Sequence, residues 1–246
     1  MYKTIVEAIE LANGLKREFF ELERENIDIV LCPPFTALSE VAEVITDSNI
    51  SLAAQDVFWQ EEGAFTGEVS CSMLKDAGCN YVIIGHSERR QYFAETNESV
   101  NKKVKAALKA GLTPIMCVGE TLSEREKNKT FDVLNDHVRN GLMDLNAQDV
   151  CKIVIAYEPV WAIGTGKTAT PVQAQEAQKY IRDLLVKMYN KDTANTVRIQ
   201  YGGSVKPENI EELMHQPDVD GALVGGASLK IDSFSQIVKK AYRVKK

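Results

Sequence analysis

Apolar positions along this chain alternate between two textures. Short runs that are apolar at nearly every position and rich in β-branched residues predict strands at Ile27 to Cys32, Ser51 to Gln55, Tyr81 to Gly85, Thr113 to Val118, Ile153 to Glu158, Arg198 to Tyr201 and Gly221 to Val224. Between them, apolar residues recur at helical spacing, which predicts helices over Ile5 to Glu25, Ala37 to Asp47, Ser70 to Ala77, Glu98 to Ala110 and Phe234 to Tyr242 among others. Pro33-Pro34 stops the first strand, and Gly111 stands where a helix C-cap is expected. Strands that are apolar on both faces and separated by helices call for a parallel sheet covered by helices. The count is seven strands and eight helices, beginning with a helix. A parallel barrel of eight βα units has equal numbers, so the expectation is an α/β barrel lacking its first strand, as one domain over residues 1–246. An open doubly wound sheet is the alternative. Polar and glycine-rich residues crown nearly every strand end, as a barrel's single carboxyl-terminal face predicts, rather than gathering at one switch point.

Composition narrows the partners. Hydrophobic content of 44% with 26% charged residues is that of an ordinary globular chain. A net charge of −6 argues against a general nucleic-acid surface but leaves room for a local anion site built from backbone N–H groups. Five cysteines, Cys32, Cys71, Cys79, Cys117 and Cys151, lack Cys-x-x-Cys spacing and predict reduced thiols in a cytoplasmic protein. Met1-Tyr2-Lys3-Thr4 leads straight into an amphipathic helix, and no apolar run reaches membrane-spanning length, so neither a signal peptide nor a membrane anchor is expected.

The candidate chemistry lies at strand ends. Ile153 to Ala169 carries one carboxylate, Glu158, to the end of an apolar run, and a loop follows with Pro159 at one side and Gly164-Thr165-Gly166 at the other. Proline stiffens the start of such a loop and glycines absorb backbone change at its far end, as in a lid over a base. After the Tyr81 strand comes Gly85-His86-Ser87-Glu88-Arg89-Arg90. A histidine at a strand mouth opening a helix suits a neutral imidazole that donates to a substrate oxygen, its pKa depressed by the helix N-terminus. Tyr201-Gly202-Gly203-Ser204 and Gly225-Gly226-Ala227-Ser228 end later strands and predict an anion cradle, with plain tight turns as the competing reading. His137 and His215 fall in polar helical stretches and read as satisfied histidines outside the chemistry. Gly166-Lys167-Thr168 is no P-loop, because the required earlier glycine falls on Trp161, and the Gly164-x-Gly166-x-x-Ala169 fingerprint is too far from its strand.

Taken together, Gly-His-Ser-Glu-Arg-Arg at 85–90, Tyr-Glu-Pro-Val-Trp-Ala-Ile-Gly-Thr-Gly at 157–166, Tyr-Gly-Gly-Ser at 201–204 and Leu-Val-Gly-Gly-Ala-Ser-Leu at 223–229 resemble the triosephosphate isomerase family. The resemblance runs in order along essentially the whole chain. It implies a TIM barrel of glycolysis and gluconeogenesis that interconverts dihydroxyacetone phosphate and glyceraldehyde 3-phosphate, with no cofactor and no metal. It also implies Glu158 as base, His86 as electrophile, Glu88 as a second acid, Cys117 as the family's strand-five cysteine, and Gly164, Ser204, Gly225 and Gly226 as the phosphate grip; these roles for base, imidazole and lid are a worked example of general enzymology rather than a derivation from spacing. Gly63-Ala64-Phe65-Thr66-Gly67 is similar to the loop through which the family forms homodimers. The family's opening strand, ending in Asn-x-Lys-Met, has no counterpart in these residues: Met1 matches that Met, and Lys3 lies beyond the motif. On that basis the chain as written is expected to lose stability and turnover, and the alternative function is a catalytically impaired barrel with a phosphate-binding or interaction role.

Overall fold

The computed structural model describes residues 1–22, 27–163 and 168–245. Helix α1 (Ile5–Glu18) is followed by β1 (Ile29–Leu31), α2 (Leu38–Ile45), β2 (Ile50–Ala54), α3 (Cys71–Asp76) and β3 (Tyr81–Ile84). Next come α4 (Ser87–Tyr92), α5 (Asn97–Lys109), β4 (Thr113–Val118), α6 (Leu122–Glu126), α7 (Thr130–Gly141), α8 (Ala147–Val150) and β5 (Val154–Tyr157). The chain continues through α9 (Pro171–Met188), α10 (Lys191–Thr196), β6 (Arg198–Tyr201), α11 (Ile210–Met214), β7 (Gly221–Ala222) and α12 (Ile231–Lys245).

The seven strands form one parallel sheet in sequence order, β1 to β7. This is the barrel topology the hydrophobic pattern predicts, not a doubly wound sheet, whose order would reverse at a switch point. Among the described residues there are twelve α-helices rather than eight. The extra ones, α4, α6, α8 and α10, are single short turns in the connections, too brief for helical periodicity to register. Helix α1 ends at Glu18 instead of Glu25, although Phe19 and Leu22 continue the apolar spacing: Phe19 is fully buried and packs edge-on against Phe234 of α12, with ring centroids 6.1 Å apart. Strand β7 stops at Ala222, two residues early, but the Leu223 N–H still donates to the Tyr201 carbonyl at 2.9 Å.

Strand parity sets the two sides of the sheet. Ile83, Ile115, Cys117, Val154 and Ala156 form an inner cluster, whereas Ile84, Met116, Val118, Ile155 and Tyr157 face the helices. Register places Cys117 beside Ala156, so the inner level nearest the strand ends is built of small side chains. Cys32, just after β1, and Leu223, just after β7, pack on the same inner cluster, so the sheet curls on itself. Outside it, the helix layer closes. Lys239 of α12 lies 2.6 Å from Glu18 of α1, and Gly14 of α1 leaves no room for a Cβ against Ile231. Asp28, before β1, pairs with Arg198 of β6. Among the described residues, β1 hydrogen-bonds only to β2 and β7 only to β6.

Candidate active site

Glu158 follows β5 with the parity of Val154 and Ala156, so its carboxylate turns to the barrel's inside at the carboxyl end. It is 2% exposed. Its neighbours lock its backbone: the Glu158 N–H donates to the Val118 carbonyl at 2.8 Å, and Gly202 N–H donates to the Tyr157 carbonyl at 2.7 Å. Two glycines make that approach possible. A Cβ at Gly119 would run into the Glu158 carbonyl, and one at Gly202 would lie 2.9 Å from Glu158 Cγ.

His86 comes to the same place from β3. Gly85 takes φ +76°, a left-handed conformation that favours glycine, and this bends the chain out of the strand. His86 then caps α4, its Nδ1 accepting the Glu88 backbone N–H at 3.3 Å. That leaves the proton on Nε2, which donates to Glu158 Oε1 at 2.8 Å. The Ser87 backbone N–H donates to the other carboxylate oxygen, Oε2, at 2.9 Å. Both oxygens of the Glu158 carboxylate are therefore held.

The depressed histidine pKa expected from the helix N-terminus is not what this arrangement produces. Burial pulls the His86 pKa down, but the hydrogen bond and charge of Glu158, joined by the Glu88 charge, outweigh it, and the net direction is upward. The Nδ1 acceptor nevertheless selects the neutral tautomer with its N–H facing the site. The upward shift belongs to the pairing with Glu158, and α4, at six residues, is too short to counter a carboxylate in contact. Glu88 points outward, its side chain 66% exposed, and meets only the far side of the imidazole at 3.7 Å from Nδ1. Cys117 is fully buried beneath Glu158, and burial first, then the Glu158 charge, hold its thiol well above the ordinary range.

The loop beyond Glu158 begins as a tethered turn. Pro159 has φ −66°, and Val160–Ala162 forms a 3₁₀ turn. Glu120, fully buried, collects three donors on Oε1: Trp161 Nε1 at 2.8 Å, Arg125 Nη1 at 3.1 Å and Tyr157 OH at 3.2 Å. The Arg125 guanidinium also covers the Trp161 ring at 4.5 Å. Gly164 and Gly166 lie outside the described residues. On the far side, Tyr201 OH accepts the Ala169 N–H at 3.3 Å, which ties the loop's return to β6.

Ser204, Gly225 and Gly226 follow the adjacent strands β6 and β7, on the same end as Glu158. Gly225 and Gly226 are exposed, neither has positive φ, and a Cβ on either would meet nothing within 4 Å. Packing therefore does not call for glycine at either position. The loop from Val57 to Gly67 is closed at its base by the Phe58 N–H to Val69 carbonyl bond at 2.8 Å, and Phe58 stacks on Trp59 and Phe65 at 4.2 and 4.7 Å between centroids. Thr66 is exposed, as are Phe65, Met73, Tyr92 and Phe93.

Several residues that shape the site were invisible to motif reading because their partners are distant in sequence. Glu120 is one. Another is a buried cluster beside β3, where Lys103 bonds Asp56 at 2.7 Å and pairs with Glu95, Arg89 bonds Asp56 at 2.8 Å, and Glu95 accepts the Gly85 N–H at 3.1 Å. A buried lysine at helical spacing was the available signal. His137, read as a satisfied histidine outside the chemistry, reaches β4's end, where its Nδ1 accepts the Gly119 N–H at 3.4 Å and burial, with the Arg90 charge, takes its pKa down to about 4. His215 remains exposed on α11's end, against the Glu211 carbonyl at 2.7 Å. Among the described residues no His, Cys, Asp and Glu group is arranged to hold a metal.

Known proteins are similar to this chain in sequence over most of its length. The family model described as Triosephosphate isomerase matches residues 1–241. A triosephosphate isomerase of Geobacter metallireducens is 63% identical over 213 residues, covering 87% of this chain and 85% of its own. Those of Geotalea uraniireducens and Endomicrobium trichonymphae are each 57% identical, covering 97% of this chain and 94% of theirs. With a family model matched over residues 1–241 and relatives at this identity over most of their length, the chain belongs to the triosephosphate isomerases.

Proposed function

We infer that this isomerase interconverts dihydroxyacetone phosphate and glyceraldehyde 3-phosphate by proton transfer, with Glu158 as base and His86 as electrophile. The observation that carries the reading is the 2.8 Å contact between His86 Nε2 and Glu158 Oε1 at the strand ends. It puts a carboxylate and a single N–H donor around one small volume, with the donor's tautomer fixed from behind.

Substrate entering that volume takes the Nε2–H for its carbonyl oxygen, and Glu158 is freed to face the hydroxymethyl carbon. The carboxylate removes a proton from that carbon, the electrons form the carbon–carbon double bond, and the carbonyl oxygen becomes the enediolate oxygen that His86 stabilises. Glu158 then returns its proton to the adjacent carbon, a proton exchanges between the two oxygens through the imidazole, and the aldehyde results. The sequence needs a base, a donor and a hold on the phosphate, and neither electrons nor a Lewis acid enter its balance. Ser204, Gly225 and Gly226, with Gly164, are the proposed phosphate hold, and Glu88 tunes the imidazole from its outer side. The loop tethered through Trp161 to Glu120 is the proposed lid, needed because an enediolate phosphate in water eliminates its phosphate.

The exposed aromatic surface of Phe65, Tyr92 and Phe93 supports a homodimer, with Thr66 directed toward the second copy's site. No helix of the described residues is long and apolar enough to cross a membrane, and five free cysteines suit the reducing cytoplasm as the proposed location. The test is Glu158→Gln. Its kcat should fall by a factor on the order of a thousand while affinity for inorganic phosphate stays within about threefold. A kcat within about tenfold of the parent protein would reject Glu158 as the base.

A further inference from the structure

Arg90 is half-buried behind the two catalytic side chains and touches neither. Its guanidinium donates in three directions: Nε to the Gly85 carbonyl at 2.9 Å, Nη2 to the Cys117 carbonyl at 3.4 Å, and Nη1 to Asn97 Oδ1 at 2.8 Å. Among the described residues it makes no direct ion pair. Its charge is answered through a relay, because Asn97 Nδ2 passes on to Asp136 Oδ2 of α7 at 2.7 Å.

The placement has a reason in the ladder. Strands β3 and β4 pair from Tyr81↔Thr113 to Ile84↔Met116, and the next pair does not form because Gly85 turns away at φ +76°. That turn delivers His86 to the site, but it leaves the ends of two adjacent strands without the bonds that fix their spacing. The planar fork of Arg90 bridges the break, since one guanidinium can hold two carbonyls whose separation is set by its own rigid geometry. Each carbonyl belongs to a residue next to the chemistry. Gly85 is joined by its peptide to His86, and Cys117 lies beneath Glu158. A Cβ on Gly85 would come 3.1 Å from Arg90 Nη2 and 3.3 Å from the Cys117 carbonyl, so the three groups are in mutual contact.

We propose that Arg90 is a positioning residue for the isomerisation, its guanidinium fixing the distance between His86 and Glu158 by clamping the Gly85 and Cys117 carbonyls. The proposal rests on the roles assigned to those two side chains. A lysine in its place keeps the charge and most of the stem but has one ammonium centre, which cannot span both carbonyls and Asn97 together. Misplacing a reacting group by about 1 Å costs up to roughly a hundredfold in rate, without a matching change in ground-state binding.

The experiment compares Arg90→Lys and Arg90→Ala in the full-length protein, at a temperature where circular dichroism shows each folded. We expect Arg90→Lys to lose about tenfold or more in kcat with KM within about threefold, and the ¹⁵N signals of the His86 ring to move. Arg90→Ala should lose more, and low concentrations of guanidinium chloride should restore part of its kcat where sodium chloride of equal ionic strength does not. A kcat within about twofold of the parent protein in folded Arg90→Lys overturns the proposal. So does a kcat loss that leaves the His86 signals in place, that guanidinium does not relieve, or that merely follows the folded fraction. Should Arg90→Ala fail to fold, Arg90→Lys decides alone. Failure of the base assignment itself is read separately, from Glu158→Gln.

Discussion

Nδ1 of His86 is taken by a backbone N–H and Nε2 is spent on Glu158, so the ring has one tautomer and one orientation. His137 shows the same economy of roles one layer out. It must stay neutral to accept the Gly119 N–H, and burial with the nearby Arg90 charge brings its pKa down to about 4. Because the folded pKa lies below the unfolded value, the unfolded chain binds the proton first as acid is added. The contribution of this neutral histidine is whole above the unfolded value and is lost as pH falls toward 4, a change worth up to about 3 kcal/mol. His137→Gln keeps an acceptor and removes the titration, so its unfolding free energy should decline less steeply over that window. Urea unfolding across the pH range checks this, and parallel curves for the two proteins would reject it.

Among the elements, the strand ends divide the proposed labour: His86 follows β3, Glu158 follows β5, and the open glycine turns follow β6 and β7. Because a Cβ at Gly225 meets nothing, Gly225→Val should still fold yet lose about tenfold or more in competitive inhibition by inorganic phosphate, since the side chain fills the space an anion would use. Unchanged inhibition would place the phosphate elsewhere. The strand Thr113–Val118 was legible to the residue, because burial on both faces makes an apolar run with sharp limits, and Arg198–Tyr201 was legible from its alternation, Ile199 and Tyr201 buried between Arg198 and Gln200. Glu158 and His86 were legible as polar residues ending such runs. Of the short helices, α4 was legible from its opening at His86 but α6, α8 and α10 were not, since a single turn carries no period, and the end of α1 was missed because Phe19 and Leu22 prolong an apolar stripe that serves packing rather than helix. Arg90, Glu120 and His137 escaped for a different reason. Their meaning lies in carbonyls, indoles and amides brought to them by other strands.

On the scale of the whole molecule, Phe65, Met73, Tyr92 and Phe93 are exposed, and the proposed homodimer would cover such apolar side chains. Sedimentation of the protein at micromolar concentration should give twice the chain mass, and Phe93→Asp should shift it toward a monomer; a monomer in the parent protein would remove the dimer from this account. The helix layer has its own consequence. Every strand pairs with the one before it in sequence, so most of the sheet assembles from neighbours, whereas the seam between α1 and α12 joins residues as far apart as Glu18 and Lys239, 221 positions. Bringing together partners at that separation costs chain entropy that only an already ordered barrel offsets. The seam should therefore be the last part to dock and the first to open. Phe234→Leu, which trims the contact with Phe19, should speed unfolding by the full amount of its destabilisation and leave the refolding rate unchanged, giving a φ-value near zero. A slowed refolding limb would mean that the molecule measures the distance between its two terminal helices early, before the strands between them have found their places.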